Sequence, residues 1–420
     1  MTADLAVDAE AFRRRFAELA RYGRDEASGA QHRLAWTPAD AHARAAVAAE
    51  AQRLGLTVEV DGNGNHWAWW WPEHLGAVAD LADGAAVATG SHLDSVPGGG
   101  AFDGPLGVVS ALGAVEALSA SGWRPRRPLA VVVWADEEGG RFSTPCFGSR
   151  LAAGTLDPAD VLDRRDADGV RLADALHEAG VDPAGLGPDP ERLRGLGVFV
   201  ELHIEQGRAL APQGAPLGVG TGVWPHGRWR VDLAGVTDHA GTTRLDDRRD
   251  AALGLAALVT AAREESRTHG AVATVGRARL APGATNAVPG GATGWLDARA
   301  GDDATLEALV AAVRARVDAA AAAEGLAATV TEESRTPEVV FDADVRARLE
   351  AVVAGVAGAA PRLPTAAGHD AATLAGVLPT GMLYVRNPTG ASHTPAEHAD
   401  EADCLLGVRA LAAALREFAG

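Results

Sequence analysis

The stretch GSHLDSVPGGGAFDG, Gly90–Gly104, sets His92, Asp94 and Asp103 among five glycines. Imidazole and carboxylate are donors that zinc, manganese and cobalt accept, and glycines let a backbone come close to such a centre. The same residue types recur further along the chain. Asp136, Glu137 and Glu138 stand in WADEEGG, His203 and Glu205 in ELHIEQG, and His393 in GASHTPAE. One H-x-D or one Glu-Glu pair is ordinary surface sequence, but four clusters that each follow an apolar run point to a metal centre. Two divalent ions about 3.5 to 4 Å apart need a bridging carboxylate. Asp103 is the candidate, because Gly98–Gly100 and Gly104 leave it unobstructed.

For these clusters to meet, the elements that carry them must end at one edge. Apolar runs at Ala85–Thr89, Leu129–Trp134, Val198–Leu202 and Gly381–Val385 read as strands buried on both faces of a mainly parallel sheet. Open α/β sheets bind ligands at the carboxyl ends of their strands, which is where the four clusters lie. Residues 1 to about 60 read as helices, with Phe12, Phe16, Leu19 and Ala20 on one face and a second helix over Pro38–Leu54. TVEVDGNGNHWAWWW reads as two strands about a turn at Gly62–Asn65, its tryptophans used for packing. Between residues 217 and 333 the order becomes βαββαβ, the ferredoxin-like arrangement. In its second helix Leu306, Leu309, Val310, Val313 and Val317 form one apolar stripe behind an N-cap at Asp302 or Asp303. The expected fold is therefore α/β: a mainly parallel-sheet catalytic domain, 1–216 with 334–420, and an inserted ferredoxin-like domain at 217–333 for dimerisation or as a lid.

Composition narrows the function classes. A chain of 420 residues exceeds one hydrophobic core. Its formal net charge is −18, so a nucleic-acid partner is not expected. All 38 basic residues are arginine, which removes Schiff-base lysines, Walker-type phosphate loops and lysine-carbamate metal bridges. Cys146 and Cys404 lack C-x-x-C partners and read as ordinary reduced thiols. The first residues show an amphipathic helix without an apolar signal core, and no run of about 18 apolar residues occurs. No membrane association is expected, and the expected address is the cytoplasm.

The motifs GSHLDSVPGGGAFDGPLGV, WADEEGGRF, ELHIEQG, DHAGTTRLDDRRD, TNAVPG, LDARA, AGHDA and GASHTPAE resemble, in order and spacing, those of the co-catalytic metal hydrolases of the aminoacylase and glutamate carboxypeptidase clan. The resemblance spans roughly residues 85 to 400 and is to the ureido branch, N-carbamoyl-L-amino-acid hydrolase and allantoate amidohydrolase. It implies two divalent ions, Zn or Mn with Co or Ni also accepted. His92, Asp103 and His203 would hold one, and Asp103, Glu138 and His393 the other. It further implies Glu137 as general base, with Asp94 hydrogen-bonded to the His92 imidazole. From the small domain, His239 would stabilise the oxyanion, Asn286 would bond the substrate and Arg299 would clamp its carboxylate. Gln206 and His369 would add further substrate contacts or contacts to the ligands. Relatives use this domain as a lid or extend it into the other subunit of a dimer, so a homodimer is implied.

Departures from the family pattern fall at Arg244 after AGTT, at Thr365 and Ala366 before AGHD, and in WPHGRW around His226. They leave the ligands and base in place and bear on the substrate. The stretch VRNPTGASHTPAEHAD looks most like allantoate-type members, so the implied activity is conversion of the small ureido carboxylate allantoate to ureidoglycine, ammonia and carbon dioxide. N-carbamoyl-L-amino-acid hydrolysis is the alternative. A dipeptidase or deacylase is more distant, as IEQG resembles the ureido branch. A non-catalytic metal-binding protein would not need Glu137 as a free base.

Overall fold

The computed structural model describes residues 5–72 and 81–420. The chain divides into two compact units, one formed by residues up to Thr221 and from Val340 onward, the other by Gly222–Val339.

In the first unit the strands lie in the order Thr57–Val60, His66–Trp70, Leu129–Trp134, Ala86–His92, Leu196–Ile204, Thr380–Val385, Leu217–Val223. The middle four run parallel, and the rest pair antiparallel at the two sides. Each of the four apolar runs seen in the sequence lies in one of these parallel strands. Every residue of Leu129–Trp134 and of Thr380–Val385 is buried, as a strand covered on both faces requires. Cover comes in part from the helix Pro105–Ala120, apolar nearly all round because it is enclosed on nearly every side. The helix Glu401–Ala419 packs on it, with Leu411 and Leu415 in the same core as Leu112, Val131 and Leu202. Buried Arg15 of helix Ala9–Ala20 ties in helix Pro38–Arg53 through Glu50 at 2.5 Å and helix Pro105–Ala120 through Glu116 at 2.6 Å.

Leu217–Val223 belongs with this sheet because it pairs with Thr380–Val385, Leu217 opposite Val385 and Val219 opposite Leu383. The chain therefore leaves the first unit at Gly222. In the second unit an antiparallel sheet has the order Ala327–Thr336, His226–Ala234, Gly291–Arg299, Val272–Ala281, with helices Ala251–His269 and Asp303–Glu324. This is the ferredoxin-like topology. Leu306, Leu309, Val313 and Val317 are buried against Val231, Leu233 and Leu296, while Asp302 caps its helix by accepting from the Thr305 amide at 2.7 Å. Among the described residues no helix is long and apolar enough to cross a membrane.

Candidate metal centre

The parallel strands deliver the donors at their carboxyl ends. His92 closes Ala86–His92, His203 lies one residue before the end of Leu196–Ile204, and Asp136–Glu138 follow Leu129–Trp134. His393 comes from the loop after Thr380–Val385, and Asp103 stands two residues before helix Pro105–Ala120. Gly104 has φ 83°, and a Cβ there would lie 2.6 Å from the His92 ring, so any side chain here would force that ring or the backbone to shift.

Two donor groups result: His92, Asp103 and His203 in one, Asp103, Glu138 and His393 in the other, each with its donor atoms within 4.8 Å of one another. Asp103 divides its oxygens between them. Oδ1 lies 3.4 Å from His92 Nε2 and 3.2 Å from His203 Nε2, while Oδ2 lies 3.4 Å from His393 Nε2. His393 Nε2 is also 3.4 Å from Glu138 Oε2. Both buried imidazoles donate through Nδ1 to main-chain carbonyls, His92 to Asp94 at 3.0 Å and His203 to Ile204 at 2.9 Å. Their Nε2 atoms are turned into the centre, buried and without a hydrogen-bond partner. Buried polar atoms are nearly always partnered. Two orphaned imidazole nitrogens beside a shared carboxylate are a donor set that fits divalent metal. A third group, Glu201, His203 and His369, shares His203 with the first.

The bond to the His92 ring differs from the expectation. The Asp94 main-chain carbonyl accepts it, while the carboxylate oxygen stays 3.7 Å from Nδ1. That carboxylate instead accepts the amides of Glu137 at 3.2 Å and Glu138 at 3.0 Å, and so holds both glutamates in place. Glu205 turns away to accept the amides of Ala209 and Leu210. Gln206 donates to Asp103 Oδ2 at 2.9 Å, and His369 is buried with its ring 4.6 Å from that of His203.

Several supporting residues escaped the sequence reading. Buried Arg33 donates to the Leu93 carbonyl between His92 and Asp94, and buried Arg44 to the carbonyls of Val133 and Trp134 before the Asp136–Glu138 turn. Glu397 accepts the amides of Phe102 and Asp103. Cys146 is a free thiol as expected; it is buried, and its Sγ lies 3.5 Å from Glu137 Oε1. Positive φ at non-glycine residues gathers here as well, at Asp136, Ser143, Cys146 and His393, the strain that functional loops retain.

Burial drives the Glu137 carboxyl well above the ordinary range, with Asp370 and Glu138 adding and His92 opposing. Burial raises Glu138 to about 7, and the bond that His393 donates to Asp103 raises the imidazole to about 9. Carboxylates packed this closely repel one another, and a cation is what relieves that repulsion.

In the second unit, His239 and Asn286 are brought together: residues 238–239 pair with 287–288, and the Ala240 amide donates to the Asn286 carbonyl at 2.9 Å. His239 Nδ1 accepts the amides of Gly241 at 3.0 Å and Thr242 at 3.2 Å, which leaves Nε2 as an exposed N–H donor. Arg299 stands elsewhere. It ends strand Gly291–Arg299, opposite His226, with its Nε bonded to Asp297 at 3.0 Å. His239 and Asn286 lie beyond the Gly291 end of that strand, roughly 26 Å away at about 3.3 Å per residue.

The model of peptidase family M20/M25/M40 matches residues 88–417, and the chain belongs to this family. An N-carbamoyl-L-amino acid amidohydrolase of Geobacillus stearothermophilus is 37% identical over 78% of this chain and 80% of its own length. Allantoate deiminase 1 of Glycine max is 32% identical over 78% of this chain and 75% of its own. A crystal structure of a hydantoinase/carbamoylase family amidase from Burkholderia multivorans superimposes with a TM-score of 0.86 at 32% identity, covering 99% of this chain and 98% of that one. The chain is a hydrolase of this family.

Proposed function

We propose that this protein hydrolyses the ureido C–N bond of a small carboxylate, with allantoate as its substrate. The observation that carries the hydrolytic reading is Asp103, one oxygen toward His92 and His203 and the other toward His393. Bound there, two divalent ions would polarise the ureido carbonyl and make water acidic enough to attack near neutral pH. His92, Asp103 and His203 would hold one ion, and Asp103, Glu138 and His393 the other.

The remaining work falls to the chain's own groups. Glu137 lies beside the centre, Oε2 3.7 Å from His92 Nε2, and burial has raised its proton affinity. It takes a proton from the attacking water and returns it to the leaving nitrogen, whose departure as ammonia leaves a carbamate that loses carbon dioxide. His239, with Nε2–H exposed, suits an oxyanion donor, and Arg299 suits a carboxylate. These roles, and that of Asn286, are supported by the family motifs and by the tautomer fixed at His239. The distance along Gly291–Arg299 supports a homodimer in which the two ends of this strand serve different sites.

Allantoate is favoured by the VRNPTGASHTPAEHAD stretch and by the polar character of His226, His239, Asn286 and Arg299, since a second ureido group needs donors and acceptors. An N-carbamoyl-L-amino acid is the alternative, favoured by the name of the Geobacillus relative. Ammonia release from metal-reconstituted protein, compared for allantoate, a panel of N-carbamoyl-L-amino acids and two dipeptides, decides among them. Allantoate is expected to give the highest kcat/KM; preference for carbamoyl amino acids establishes the alternative, and cleavage of dipeptides alone refutes the ureido reading.

A further inference from the structure

Cys146 sits against Glu137, a carboxylate of the centre that stands outside both donor groups sharing Asp103. Its Sγ is 3.5 Å from Glu137 Oε1, while Glu137 Oε2 faces His92 Nε2 at 3.7 Å. The two oxygens of the base are thus sorted, one to the thiol and one to the centre. The backbone fixes the pair as well. The amide of Cys146 donates to the Glu137 carbonyl at 2.7 Å, that of Phe147 to Asp136 at 3.0 Å and that of Gly148 to Ala135 at 2.8 Å. The 146–148 segment is therefore laced to the 135–137 segment, which holds the two backbones side by side.

The position is a costly one for a side chain. Cys146 has φ 53° and ψ 39°, in the left-handed region where glycine is free of strain. A residue that keeps its side chain there, buried and against the base, has a use for it. We propose that Cys146 is a positioning residue that holds the Glu137 carboxylate with Oε2 presented to the reacting centre, an inference that rests on Glu137 acting as the base. The thiol stays in the donor form, since burial raises its proton affinity well above the ordinary value and the Glu137 and Asp370 carboxylates raise it further. A thiol is a weak donor, suited to fixing a carboxylate without drawing off its basicity as an ammonium would. Thr373 also lies against the sulfur and keeps the thiol in place.

The test uses Cys404→Ala as the parent, because Cys404 is buried in the C-terminal helix and its removal leaves Cys146 as the single thiol. The S–H stretching band of Cys146, read by infrared spectroscopy, is expected below that of a free thiol and to rise in Glu137→Ala; a band that ignores Glu137 overturns the contact. In the second arm, Cys146→Gly relieves the backbone strain while deleting the donor, Cys146→Ala deletes it with the Cβ kept, and Cys146→Ser restores a hydroxyl. The Gly and Ala variants are expected to lose about tenfold in kcat, with KM and metal content unchanged, and Ser to stay within about threefold of the parent. Full kcat in a folded Gly or Ala variant overturns the proposal. Failure of the parent on every ureido substrate would overturn the functional reading instead, and the infrared arm, which needs no turnover, still decides the contact.

Discussion

The separation of the proposed substrate groups within the second unit makes a quantitative prediction. Strand Gly291–Arg299 carries Arg299 at one end, and the 238–239/287–288 pairing that holds His239 and Asn286 lies beyond the other. At about 3.3 Å per residue the ends are roughly 26 Å apart. Side chains turned toward each other close about half of that, and a ureido carboxylate, about two residues long or roughly 7 Å, does not span the rest. If both ends contact substrate, each site draws Arg299 from one copy and His239 from another. His239→Ala and Arg299→Ala should then be inactive alone and complement when mixed. In a mixed dimer one site receives both intact groups and the other neither. Random reassortment makes half of the dimers mixed, so activity should return to about a quarter of the wild-type level. The assay is ammonia release after co-expression, or after dissociation and reassociation, with dimer content measured by sedimentation. Mixtures that stay inactive while both variants fold and pair would show that the two ends do not serve separate copies, and a monomeric active protein would refute the reasoning from its start.

Other substitutions test the centre and the scaffold separately. Asp103→Ala should lose both bound metal ions and His393→Ala only one, by elemental analysis of dialysed protein, because Asp103 belongs to both donor groups and His393 to one. Gly104→Ala, whose Cβ would come 2.6 Å from the His92 ring, should lower metal affinity about 10- to 100-fold in a titration while the protein stays folded. The Glu50 carboxyl is held down at about 2, chiefly by its bond from Arg53, with partial burial opposing and Arg15 assisting. Because its folded value lies below the ordinary 4.5, this stabilisation is complete above pH 4.5 and is lost as the pH falls toward 2. Glu50→Gln should therefore melt about 2 °C below wild type at pH 6, with the gap closing between pH 4.5 and 2, by differential scanning fluorimetry.

What could be read from the sequence follows from what kind of interaction each residue makes. Leu129–Trp134 and Gly381–Val385 declared themselves because a strand buried on both faces must be apolar throughout. His92, Asp103, Glu138, His203 and His393 declared themselves because donor side chains at strand ends form a pattern of residue types. Arg33 and Arg44 left no such trace. Each is an arginine in a chain with many, each acts on main-chain carbonyls, and each lies far along the chain from its target, 60 residues for Arg33 and Leu93 and 90 for Arg44 and Trp134. Main-chain acceptors have no side-chain identity to match, so neither spacing nor composition signals them. The reassignment at Asp94 has the same origin: the residue could supply a carboxylate or a carbonyl to His92, and it gives the carbonyl, while its carboxylate accepts the amides of Glu137 and Glu138.

These unsignalled contacts share a direction. Arg33 and Arg44 come from the N-terminal segment and Glu397 from the C-terminal part of the chain, yet they fasten the backbone beside His92, the 135–138 turn and Asp103. The candidate donors are thus placed by residues outside both donor groups, and the cost of moving them is borne by main-chain hydrogen bonds in a buried, low-dielectric setting where each is hard to replace. The donor residues are thus legible in the sequence as side-chain types, whereas the main-chain contacts that hold them are not.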